Sequence, residues 1–229
     1  VLIRATSGAG LFYGVQTMLQ MVDEKGLPVG IITDEPRFAY RGFMMDVSPH
    51  FFDKEFIKKQ MDALAYYKLN RLHLHLTDAA GWRLEIKKYP RLTEFAAWRE
   101  FPTWKEWWNN GRRYEEEGSK DAHGGYYTQD DIRELVAYAQ ERFITVIPEI
   151  EMPAHSEEVL TAYPELSCTH EPYKQADFCV GNEKTFEFLE NVLTEVMELF
   201  PSEYIHIGGD EAGKASWPTC KLCQARMKK

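Results

Sequence analysis

The spacing of apolar positions changes character several times along the chain. Residues 9–22 (AGLFYGVQTMLQMV) place apolar groups at helical intervals, and Gly26-Leu27-Pro28 closes the segment. A short apolar run at 29–33 and a break at Asp34-Glu35-Pro36 follow. Then strands and helices alternate. Residues 40–47 have strand length, 53–68 read as an amphipathic helix with Asp53 as N-cap, and 69–76 as a strand. A long polar and aromatic stretch occupies 79–127. Residues 128–142 predict a helix with Thr128 as N-cap and acids in its first turn, 144–152 a buried strand, 184–200 a helix and 204–209 a strand. This alternation predicts a parallel α/β sheet or barrel, with 36–229 as one unit and 1–33 as the tail of another.

The ends of the strands carry the chemistry. Asp46, Asp78, Glu149 with Glu151 and His155, and Asp210 with Glu211 all fall at or just past carboxyl ends. A (β/α)8 barrel gathers those ends into one site. No glycine-rich phosphate loop follows the first strand, which disfavours a nucleotide-binding sheet. A full barrel takes eight strands and about 250 residues, so the chain reads as about the first four β/α units.

Charge and composition narrow the classes. The chain has 229 residues with net charge −9, 44% hydrophobic and 14% aromatic, enough apolar material for a large core. The acidic balance argues against nucleic acid, and no apolar run has the length of a membrane span. Of the four cysteines, Cys220 and Cys223 form a C-x-x-C that would be half a zinc site. Cys168 and Cys179 bracket a loop, where a disulfide is the favoured reading in an oxidising compartment.

Three groups could act chemically. His206-Ile-Gly-Gly-Asp210-Glu211 puts adjacent acids after two glycines at a strand end. One acid of such a pair can stay ionised while the other holds a proton, as acid/base work on an acetal requires; the plainer alternative is a helix cap. His73 and His75 share one face of their strand and, with Glu149, Glu151 and His155, could grip a metal or be hydrogen-bonded core groups. Asp78 beside His155 would fix an imidazole tautomer. Trp98, Trp104, Trp107 and Trp108 would either stack on sugar or pin their loop, and the run 112–117 reads as a solvated charged face.

Five motifs together resemble the β-N-acetylhexosaminidases of glycoside hydrolase family 20: FAYRGFMMDVS (38–48), NRLHLHLTDAAGWRLEIKKYP (70–90), GGYYTQDDIRELVAYA (124–139), PEIEMPAHS (148–156) and HIGGDE (206–211). The resemblance implies a TIM barrel preceded by a small α/β domain, whose last helix would be 11–20. It implies an exo-acting retaining hydrolase that uses the substrate's own acetamido group and needs no cofactor or metal. In that scheme Asp210 orients the acetamido group, Glu211 is the general acid/base, and Asp78 and His155 support it. Trp82 is a further candidate for contact with the sugar. The partner would be a glycan ending in N-acetylhexosamine, and the location secreted, periplasmic or cell-surface. The sequence departs from the family where an arginine for the sugar hydroxyls usually follows DVS. Pro49 stands there, Ala79 replaces a second acid, and Glu151 and Ala154 alter the histidine motif. Pro49 suggests tolerance of a 3- or 4-substituted terminal sugar, as in release of a galactosyl-N-acetylglucosamine unit, unless Arg41 fills the gap. The different-class alternatives are a metal-dependent barrel hydrolase and a non-catalytic sugar-binding relic.

Overall fold

The computed structural model describes all 229 residues. Helix α1 (Gly8–Met21) comes first, its amino end capped by the Ser7 hydroxyl. It is followed by β1 (Gly42–Asp46), α2 (Lys54–Tyr66) and β2 (Arg71–His75). An excursion holds β3 (Thr77–Asp78), β4 (Gly81–Trp82), α3 (Arg91–Glu94), β5 (Trp98–Arg99), α4 (Trp104–Asn109) and β6 (His123–Gly124). The alternation resumes with α5 (Gln129–Gln140), β7 (Thr145–Glu149), α6 (Glu157–Ala162), α7 (Glu183–Leu199) and α8 (Lys221–Met227).

The local signals explain the boundaries. Asp53 accepts from the Phe56 amide and starts α2. Thr128 and Asp131 form a reciprocal capping box that starts α5. β1, β2 and β7 form a parallel sheet in the order β1-β2-β7. Its register sets Asp46 beside His75 and His75 beside Glu149, so three strand ends finish level.

The buried faces follow the sequence pattern. Leu72 and Leu74 of β2, fully buried, join Ile57 and Met61 of α2, Ile132 and Leu135 of α5, and Phe188, Val192 and Val196 of α7 in one apolar core. Fully burying such a side chain contributes roughly 1.5–3 kcal/mol. The other face of β2 carries His73 and His75.

The expected fourth strand is shorter than its sequence suggested. Only His206 bridges β7, in parallel at Glu149, supported by the Ile150 amide donating to the His206 carbonyl at 3.0 Å. Gly208 and Gly209 take φ of +62° and +110°, outside the extended region, and so end the pairing. The chain forms a parallel α/β fold rather than a closed barrel. Phe43 and Met44 of β1, and Tyr204 and Ile207 beside β7, are exposed.

Candidate active site

The level strand ends assemble a line of alternating carboxylates and imidazoles. Glu149, at the end of β7, is 5% exposed. His73 Nε2 and His75 Nδ1 lie 2.6 and 2.9 Å from its Oε2, and His206 Nδ1 lies 3.0 Å from its Oε1. Burial alone would raise the Glu149 pKa, but the imidazoles outweigh it and hold the carboxyl well below its usual range. The far nitrogen of His75 meets Asp78 Oδ2 at 3.3 Å. Burial opposes protonation of His75, yet Asp78 and Glu149 together push it up to about 10.

Asp78 passes the line onward. Its Oδ1 contacts His155 Nδ1 at 3.1 Å, and its other side chain oxygen is already held by His75. His155 sits at φ +50° just after the cis Met152–Pro153 peptide. Its Nε2 points at both members of the adjacent pair, 3.4 Å from Glu211 Oε2 and 3.7 Å from Asp210 Oδ2. Burial lowers the His155 pKa, but the surrounding carboxylates, Asp78 foremost, raise it overall. The Asp210 and Glu211 side chains are 69% and 79% exposed.

Glu151 braces the loop that carries the pair. It is buried and accepts the Gly209 amide at 2.9 Å. A Cβ on Gly208 would fall 1.5 Å from Glu151 Oε2, so this loop requires glycine to pass over the carboxylate. Burial, aided by the charge of Asp210, pushes Glu151 up to about 7 against the opposing Gly209 bond. The Thr77 hydroxyl accepts the Glu151 amide at 2.8 Å, tying the carboxyl end of β7 to β3.

The model of the glycosyl hydrolase family 20 catalytic domain matches residues 38–229. The chain belongs to glycosyl hydrolase family 20. It is 44% identical to a β-hexosaminidase of Porphyromonas gingivalis, over 100% of this chain and 30% of that protein. It is 40% identical to a β-hexosaminidase of Akkermansia muciniphila, over 94% of this chain and 44% of that protein. The chain therefore spans less than half the length of these curated relatives. Among solved structures, the family 20 exo-β-N-acetylglucosaminidase of Vibrio harveyi, bound to N-acetylglucosamine, superposes with a TM-score of 0.83. Its identity to this chain is 36%, over 98% of this chain and 36% of that one.

The structure brings Asp78, His155, Asp210 and Glu211 into one contiguous group. Trp82 does not join it. Its side chain is 2% exposed and its indole donates to the Leu84 carbonyl, so it packs the core and offers no face to a sugar. Trp107 is likewise buried, pinned by a bond to the Arg113 carbonyl, while Trp104 and Trp108 stack at the surface.

Arg41 lies at the amino end of the sheet, where its guanidinium donates to the carbonyls of Lys68 and Phe38 at 2.7 Å each. It therefore cannot serve the Pro49 position. The expected Cys168–Cys179 disulfide is absent: all four cysteines are free thiols, and both loop cysteines turn toward Cys220 and Cys223. The groups named by the metal-binding alternative do come together: ligand atoms of His73, Glu149 and His206, and of His75, Glu149 and Glu151, lie within 4.8 Å of one another.

Sequence reasoning missed two connections. His75 links Glu149 to Asp78, and its place three residues ahead of Asp78 was the available signal. Arg83, 1% exposed, donates to carbonyls of Val47, Ser48, Ala97 and Gly125, tying the loop after β1 to the excursion. A buried arginine without a carboxylate leaves no periodic mark in a sequence.

Proposed function

We propose that this chain is the first half of a (β/α)8 barrel and supplies the acid/base machinery of a retaining β-N-acetylhexosaminidase. The observation that carries the reading is His155 held by Asp78 at 3.1 Å with its other nitrogen aimed at both Asp210 and Glu211. The substrate is a glycan ending in β-linked N-acetylglucosamine or N-acetylgalactosamine. Its 2-acetamido oxygen attacks C1 as the aglycone leaves, forming an oxazolinium ion that water then opens, the substrate-assisted route of this family. Asp210 accepts the acetamido N–H and stabilises the positive charge that develops there. Glu211 protonates the leaving oxygen and then takes a proton from the attacking water. His155 adjusts the proton affinity of Glu211 between these two roles, and Asp78, backed by His75 and Glu149, fixes its tautomer.

Adjacent carboxylates approaching one imidazole nitrogen support this route over double displacement, in which two carboxyls stand about 5–5.5 Å apart across the scissile bond. Pro49 supplies no donor, and Arg41 and Arg83 are both committed to backbone carbonyls. That supports a site tolerant of a sugar substituted at the 3- or 4-hydroxyl.

The test is made on the full-length protein with aryl N-acetylglucosaminide. A thiazoline mimic of the cyclised acetamido group is expected to inhibit at least a hundredfold more tightly than N-acetylglucosamine, as a transition-state-like ligand should. Equal affinity for the two would contradict the assisted route. Comparing kcat/KM on the plain and 3-O-galactosylated substrates decides the place of Pro49.

A further inference from the structure

Outside the carboxylate and imidazole line, the four cysteines come from two distant stretches of the chain. Cys168 and Cys179 lie within the segment between α6 and α7, and Cys220 and Cys223 stand at the N-cap and first turn of α8. Their sulfurs converge. Cys168 Sγ is 3.7 Å from Cys223 Sγ, and Cys179 Sγ is 3.6 Å from Cys220 Sγ and 3.7 Å from Cys223 Sγ. All four lie within 4.8 Å of one another.

These spacings have a chemical meaning. A tetrahedral zinc with Zn–S bonds of about 2.3 Å sets its sulfurs about 3.8 Å apart. A disulfide joins sulfurs at about 2.05 Å in exclusive pairs. Cys179 approaches two partners almost equally, which suits a shared centre and not a pair. We propose that Cys168, Cys179, Cys220 and Cys223 bind one structural zinc ion. The thiols release their protons as four Zn–S bonds form, with no change of oxidation state.

The surroundings fit such a centre. The C-x-x-C starts a helix, with Cys220 at its N-cap. A Cβ on Gly181 would fall 2.1 Å from the Leu222 carbonyl carbon, so the two cysteine-bearing segments touch backbone to backbone. Cys179 and Cys223 are fully buried. Four sulfur ligands leave no open position, which marks a structural ion and not a catalytic one.

The ion would stitch together two loops of the site. Nearby, Asp177 accepts the Lys214 amide at 2.8 Å and the Trp217 indole donates to the Phe178 carbonyl at 3.0 Å. Together with the zinc, these bonds anchor the segment immediately after Asp210 and Glu211 onto the loop that follows α6.

The experiment uses the full-length protein, purified without chelator or reductant. Elemental analysis is expected to find about one zinc per chain. Alkylation in denaturant with chelator, mapped by peptide mass, should label all four cysteines without prior reduction. The C220S/C223S double variant should lose the zinc. Cys223→His should keep it, because Cys3His is also a complete zinc donor set. Cobalt exchanged into the protein should give thiolate charge-transfer and intense tetrahedral ligand-field bands. Cysteines that resist alkylation until reduced, a protein that stays metal-free when supplied with zinc, or iron in the site would each overturn the assignment. None of these readouts depends on glycosidase activity, so the zinc and the proposed function fail separately.

Discussion

Two carboxylates at strand ends, Glu149 and Glu211, both meet imidazoles, but under opposite conditions. Glu149 is buried and approached by three histidines, so its charge is locked in place. Glu211 is open to solvent and meets one imidazole at 3.4 Å. In the proposed scheme Glu211 gains and loses a proton in each turnover, which its loosely held position permits. The tightly held end fixes geometry: Glu149 and His75 orient Asp78, and Asp78 orients His155. The same sheet register that levels the strand ends thus divides a single line of residues into a buried base and an exposed tip.

A large effect is expected beside the tip. Asp210→Asn in the full-length enzyme should lower kcat by about 10²–10³, the usual cost of removing one group that stabilises developing charge. The loss should be similar on activated and unactivated glycosides, because the oxazolinium-like charge appears whichever aglycone leaves. A loss confined to KM would place Asp210 in ground-state binding only.

Two steps back along the line, Asp78→Asn should lower kcat, because His155 loses the carboxylate that orients it. The pH profile carries the sharper information. The Asp78 charge helps hold the His155 pKa above its ordinary value, so its removal should move the limb governed by His155 toward lower pH. An unchanged profile with reduced activity would reduce Asp78 to a packing role.

The smallest effect concerns Glu151, which braces the loop without joining the line. Its folded pKa of about 7 lies above the ordinary 4.5. The native state therefore holds the extra proton between those values, and stability falls as pH rises through that window. Glu151→Gln keeps an acceptor for the Gly209 amide and removes the charge. It should raise the melting temperature by about 2–4 °C at pH 8, with the difference fading toward pH 5. Equal stabilisation at both pH values would contradict a raised Glu151 pKa.

Much of this arrangement was legible in the sequence. Helices α2, α5 and α7 follow from apolar periodicity and cap residues, and the parallel sheet follows from alternation. Asp78, His155, Asp210 and Glu211 stood out because carboxyl ends of parallel strands converge. What stayed hidden depended on contacts between distant segments. Cys168 and Cys179 looked like a pair because they are close in sequence, whereas the fold carries both to the start of α8. Trp82, a candidate for sugar contact, is instead directed into the core by the β3–β4 turn. The fourth strand is predicted to run through Gly208 and Gly209, but their positive φ ends the pairing before them.

The central claim is that Glu211 is the proton-transferring tip of a line anchored at Glu149. It is tested most directly by the leaving-group dependence of kcat/KM for Glu211→Gln against the unmodified full-length enzyme. On glycosides with poor leaving groups the variant should lose about 10²–10⁴, while on activated aryl glycosides, which need little protonation, the loss should be far smaller. Equal losses across the whole series would contradict the claim and take Glu211 out of the acid role.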